Sequence, residues 1–262
     1  MSIARFHPER ALNKTTIMKK ILIAAMVMSL AAATQVGALT VHVSEISGYN
    51  AGQGGGEFNV TPITGVGYAP SVLVGGGFET FCLSRDTGIT IPGDYNATVN
   101  ANGVYDNGIN GAVRTMSLGS AYLYQQFATG VLAGYRYGQT GGGTASGRAT
   151  DAYNLQLAIW TLEGDYSYGS LAADLANAFI NTAANFFGGG IAGLQAAMLA
   201  NGAGGFGVGA LNLRYIAGNP NGVPPNTPAQ PLLTLLPDGG TTLMLMGIGF
   251  SSLALVSRKF RA

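Results

Sequence analysis

Glycine occurs 41 times in 262 residues, and with Asn and Pro it cuts the middle of the chain into runs too short for long regular elements. Glycine destabilises the interior of both helices and strands, so such runs are bounded by it rather than built through it. Thr40–Ser44, Phe58–Val60, Ser71–Val74, Thr80–Leu83 and Tyr95–Val99 are short β-prone runs of this kind, and they predict a meander or sandwich of strands. The style then changes. Ala121–Ala128 fits a short helix and Ala149–Glu163 a longer one closed by Gly164, with Leu155, Ile159 and Leu162 spaced as a core stripe. Leu171–Phe187 and Ile191–Leu199 fit two more helices, and Val208–Ile216 returns to strand. The runs Gly141–Gly143 and Gly202–Gly207 read as flexible loops. The predicted fold class is α+β and β-rich: an antiparallel strand sandwich or barrel with a helical insertion, flanked by a signal peptide and a C-terminal membrane helix.

Charge is sparse, at 10% of the chain, and unevenly placed. Eight of the thirteen Lys and Arg lie in the two ends, while residues 39–236 hold five Arg, no Lys and ten Asp or Glu, a net of −5. An acidic surface of that kind repels phosphate backbones, so no nucleic-acid partner is expected. Cys82 is the one cysteine, which excludes an intrachain disulfide and a multi-cysteine metal site. His42 is the one histidine after residue 38, leaving a Ser-His-Asp or Cys-His hydrolase a single candidate base near a terminus. Gly52–Glu57 lacks the ordered pattern of a phosphate loop and reads as a turn. Asp86, Asp94 and Asp106 lack the spacing of a calcium loop. No cofactor and no metal are expected.

Both ends read as addresses. Met18-Lys19-Lys20 followed by ILIAAMVMSLAAA is a basic region and a compact apolar run, and Val36-Gly37-Ala38 offers the small residues a signal peptidase accepts. Residues 1–38 are therefore assigned as a signal peptide cleaved after Ala38, with Met18 as an alternative start. The body spans 39–218. A linker is assigned to 219–235, because residues 219–230 contain four prolines and no aliphatic periodicity. Residues 236–262 form the tail: Leu236-Pro237-Asp238-Gly239-Gly240, an apolar stretch at Thr241–Val256, and a basic end with Arg258, Lys259 and Arg261. The positive-inside bias keeps that basic end cytoplasmic and the body outside the inner membrane.

The tail resembles the VPDSG-type relatives of the PEP-CTERM sorting signals, with Leu236 where Val is usual and Gly239-Gly240 in place of Ser-Gly. The resemblance covers the tail alone. It implies an exosortase-type membrane protease as partner, a transient stay in the inner membrane, and release to the outer cell surface or extracellular matrix.

Two segments of the body carry a second resemblance. Glu79-Thr80-Phe81-Cys82-Leu83 and Asn154-Leu155-Gln156-Leu157-Ala158-Ile159-Trp160, with Ala121-Tyr122-Leu123-Tyr124 between them, are similar to the thioester domains of bacterial surface adhesins. Leu155 stands where that family has Thr. The resemblance implies an internal thioester between Cys82 and Gln156. Physically, a thiolate that expels ammonia from a Gln carboxamide leaves an acyl group open to attack by an amine or hydroxyl of a partner. Trp160, one helical turn beyond Gln156, is placed to shield such a bond. A body without lysine cannot acylate itself through a lysine amine. The expected function is a non-enzymatic, exported envelope protein, an adhesin or matrix component with a polysaccharide or protein target. The alternative is a structural biofilm-matrix protein without covalent chemistry.

Overall fold

The computed structural model describes residues 39–50, 56–64, 77–106, 113–138 and 147–236. The chain divides into two compact units, Met1–Val36 and Gly37–Ala262, and every described residue belongs to the second. The signal peptide with Ala38, the predicted strand Ser71–Val74, the Gly141–Gly143 loop, Pro237–Gly240, the Thr241–Val256 stretch and the basic residues Arg258, Lys259 and Arg261 lie outside the described residues. Among the described residues no helix is long and apolar enough to cross a membrane.

Eight strands and five helices follow in the order β1 (Leu39–Asn50), β2 (Gly56–Thr64), β3 (Phe78–Thr80), β4 (Gly93–Asn100), β5 (Val104–Asp106), β6 (Val113–Thr115), α1 (Leu118–Ala128), α2 (Arg148–Leu162), α3 (Leu171–Asp174), α4 (Ala178–Phe186), α5 (Gly190–Leu199), a 3₁₀ turn at Gly205–Gly207, β7 (Val208–Tyr215) and β8 (Pro228–Leu235). Six strands form one antiparallel sheet in the order β3-β2-β1-β4-β7-β8, and β5 pairs with β6 in a small hairpin. The helices enter between β6 and β7, so the predicted helical insertion is present. The sheet is single and curled rather than two stacked layers. Its two edges meet in one segment. β3 pairs with β2, and the residues just after it pair with β8 through Leu83 N–H to Pro231 O (2.9 Å) and Leu233 N–H to Phe81 O (3.0 Å). Residues 78–83 therefore border both edges of the sheet, which removes much of the exposed-edge liability of an open one.

Strand periodicity explains which face is buried. On β1, Leu39, Val41 and Val43 are buried while Thr40, His42 and Ser44 are half-exposed; on β4, Tyr95 and Ala97 point inward between exposed Asp94, Asn96 and Thr98. These inward residues join Phe58, Val60, Phe78, Cys82, Leu211, Leu213 and Leu232 in one apolar cluster. A second cluster lies among the helices and takes in Leu155, Ile159 and Leu162, as the stripe predicted. α2 contributes Leu157 and Trp160 to the first cluster and its stripe to the second, so it is buried on two sides. It ends in a Schellman cap: Gly164 takes φ +79°, its N–H bonds to Thr161 O, and Asp165 N–H bonds to Trp160 O.

Three expectations change. The single helix over Leu171–Phe187 is two, α3 and α4, because Asn177 breaks the run by accepting the N–H groups of Phe179 and Ile180 as the N-cap of α4. Gly202–Gly207 is not a free loop. Gly202 lies so close to the carbonyls of Met116 and Ser117 that an added Cβ would sit about 2.6 Å from an oxygen, and its N–H bonds to Met116 O (2.8 Å). The linker assignment to 219–235 also fails over its second half. Pro228–Leu235 is β8, paired along β7 and almost wholly buried. A strand covered on both faces reads as a continuous apolar run without alternation, and its two prolines disguised it further.

Truncation tests that last point. A chain ending at Gly218 is expected to lose the cooperative thermal transition in circular dichroism, whereas one ending after Leu236 keeps it.

Candidate functional site around Cys82 and Gln156

Cys82 sits where the strand 78–83 leaves β2. The ladder with β2 ends at Thr80, and the bonds to β8 are made by residues 81 and 83, so neither neighbour satisfies the N–H and C=O of Cys82. Gln156 does. Its Oε1 accepts the Cys82 N–H at 2.9 Å, and its Nε2 donates to the Cys82 carbonyl at 2.8 Å. The side-chain amide thus replaces the peptide unit a further strand would have supplied. Both residues are buried, Gln156 completely. The reciprocal pattern also fixes which end of the carboxamide is oxygen.

Tyr124 on α1 brings the third predicted segment to the same place by donating its hydroxyl proton to the Glu79 carbonyl at 3.0 Å. Trp160 is buried in the cluster that holds Cys82, and its indole N–H has no hydrogen-bond partner. Cys82, Gln156, Trp160 and Tyr124, drawn from three elements, therefore gather around one strand. Burial pushes the Cys82 thiol far above its ordinary value, so the sulfur is held protonated in dry surroundings.

His42 takes no part. It lies on the outer face of β1, with Nδ1 2.6 Å from Asp94 Oδ1, while the cluster containing Cys82 fills the inner face. Among the described residues no group of three His, Cys, Asp or Glu could hold a metal ion. Leu236, the first residue of the tail motif, directly follows β8, and its N–H bonds to Gly207 O at 2.7 Å.

Next along the strand lies a polar cluster that the sequence did not announce. Arg148, the first residue of α2, bonds to both carboxylate oxygens of Glu57 and reaches Glu79 at 2.8 Å; Tyr135 donates to Glu57 at 2.6 Å. All four residues are buried. Glu57 ends the Gly-rich run read as a turn, and here it anchors the start of β2. The available signal was scarcity. In a body with so few charges, several carboxylates are used inside: Glu163 accepts from Ser117 N–H and Tyr105 Oη at 2.9 Å, Asp151 forks with the exposed Arg136, and Asp165 pairs with Arg114.

Comparison of the chain with known protein families, with characterised proteins and with solved structures found no match.

Two outcomes follow from this geometry. Gln156→Ala leaves the Cys82 N–H and C=O buried without partners, at about 1–3 kcal/mol for each, and lowers the denaturation midpoint markedly. The second concerns pH. Burial, then the adjacent Glu57 carboxylate, raises the Glu79 carboxyl from 4.5 to about 7 against the opposing pull of Arg148. The folded state then binds more protons than the unfolded chain across that window. Stability from this group is complete below about 4.5 and is lost as pH rises through about 7. Melting temperature recorded from pH 4 to 8 is expected to fall over this range, and the fall is expected to flatten in Glu79→Gln.

Proposed function

We propose that this chain is an exported, surface-displayed protein that couples once to a target through an internal Cys82–Gln156 thioester. The observation that carries the reading is the meeting of these two residues, 74 positions apart, in a buried contact that holds the carboxamide on both sides. The step is balanced: Sγ bonds to Cδ of Gln156, the Cδ–Nε2 bond breaks, and the thiol proton leaves with the nitrogen as ammonia. A partner amine or hydroxyl then takes the acyl group and returns the proton to Cys82. The same burial that keeps the thiol protonated excludes water from the acyl bond, and Trp160 belongs to the same buried cluster as Cys82. The absence of lysine from residues 39–236 denies the acyl group a lysine acceptor on the body itself or on its copies.

Display rests on the two ends. The N-terminal signal directs export, and the LPDGG motif with its apolar stretch and basic end directs handling by an exosortase-type membrane protease. Release then places the protein at the outer surface or in the extracellular matrix, where the target is a polysaccharide or protein.

A second reading is favoured by one specific observation. Gln156 already satisfies the Cys82 backbone completely, which is sufficient reason for a buried glutamine in a matrix protein that associates without covalent chemistry. Intact mass separates the two. The thioester form is lighter by one ammonia than the sequence predicts, a deficit absent in Cys82→Ala, and it takes up methylamine at Gln156. Full sequence mass with no methylamine adduct refutes the thioester and leaves the matrix reading. The sorting half is tested apart from this, by the C-terminus of surface material: a new end near Leu236–Gly240 is expected, and an intact Arg261-Ala262 end overturns it.

A further inference from the structure

Between Asp174 and Arg214 the chain has no charged residue at all. That stretch supplies α4, α5, the 3₁₀ turn and most of β7, so these elements carry no charge before Arg214 in a body that is net acidic. Aromatic rings gather there at the surface. Tyr122 stacks on Phe186 with centroids 4.2 Å apart, Phe206 meets both at 5.4 and 5.7 Å, and Phe186 is 55% exposed. Leu199, at the end of α5, is 84% exposed.

Phe206 adds a second sign. It occupies φ +54° in a turn flanked by glycines. A bulky aromatic in that left-handed region is strained by about 1–3 kcal/mol where glycine would rest at ease. The position therefore keeps its ring at the expense of its backbone, and the ring lies on the exposed cluster.

The chain itself says what lies opposite this surface. Leu236, the last described residue, is hydrogen-bonded to Gly207, next to Phe206. The apolar Thr241–Val256 stretch begins five residues later, within about 17 Å even when fully extended. With β8 running into the tail motif, no long spacer separates the body from the membrane.

We propose that the Tyr122–Phe186–Phe206 face docks on the lipid surface of the membrane that holds the tail. This rests on the reading of residues 236–262 as a membrane-inserted sorting tail. Phe, Tyr and Leu side chains suit the boundary between headgroups and acyl chains, and the charge-free stretch that carries Phe186 and Phe206 brings no carboxylate of its own toward anionic headgroups. Docking there holds the Leu236–Gly240 motif at the bilayer surface, where a membrane protease works.

The test uses the full chain reconstituted into vesicles of phosphatidylethanolamine and phosphatidylglycerol carrying brominated acyl chains, which quench nearby tryptophan. The one native tryptophan, Trp160, is buried and provides the baseline. Phe186→Trp is expected to lose most of its added emission to the brominated lipid, whereas Pro220→Trp, in the loop at the other end of β7, keeps its own. Phe206→Gly, which removes the ring and relieves the backbone, is expected to fold and to reduce quenching at position 186. A chain that floats with vesicles but shows equal emission at 186 and 220 overturns the docking and leaves the membrane tail intact. A chain that does not float overturns both. Concentration-dependent crosslinking between copies through position 186, without quenching, assigns the face to self-association and likewise overturns lipid docking.

Discussion

The backbone of Cys82 has to be satisfied where no strand reaches it. β2 has stopped pairing at Thr80 and β8 bonds to the residues on either side, so an N–H and a C=O are left in a dry interior. Buried peptide groups are almost always paired, and leaving both open is costly in a molecule of marginal stability. The amide of Gln156 closes the gap and thereby fixes the register of α2 against the sheet. Once α2 is set, Leu157 and Trp160 fill the inner face of the curled sheet, and Leu155, Ile159 and Leu162 anchor the other helices.

The charged interior continues the same arrangement at the two ends of α2. At its start, Arg148 joins Glu57 of β2 and Glu79 of β3. Just past its end, Glu163 takes the N–H of Ser117, the N-cap of α1, and the hydroxyl of Tyr105. The helix is thus held at both ends by buried carboxylates and in the middle by one carboxamide. Removing one partner of such a buried pair leaves an uncompensated charge, which costs far more than the pair itself contributes. These groups help a chain with 10% charged residues specify one arrangement: charges are few, and Glu57, Glu79, Arg148 and Glu163 are buried where mispairing is punished.

The tightness that serves the fold also serves the chemistry proposed for it. A thioester must be shielded from water until its target arrives, and Cys82 lies in a buried apolar cluster that also contains Trp160. The orphaned indole N–H of Trp160 is unusual for a buried polar group.

Much was legible in the sequence where period and punctuation agreed. The β1, β2 and β4 runs alternated, α2 had a stripe and a closing glycine, and the expectation that joined Cys82 to Gln156 came from a resemblance carried by two short motifs. β8 was hidden, because a strand buried on both faces has no alternation and its prolines mimic a spacer. The break between α3 and α4 turned on a single capping Asn177. The Glu57–Glu79–Arg148 cluster joins residues from three distant segments, which no local pattern can indicate. The sequence by itself determined how charge is distributed along the chain: a lysine-free body of net acidic charge, a charge-free stretch from 175 to 213, and apolar, basic ends. Only the tertiary structure decided that Gln156 meets the backbone of Cys82, and that the aromatic rings stand beside the point where the tail begins. Contacts across such separations are set by how the sheet curls and closes, and that depends on every strand at once.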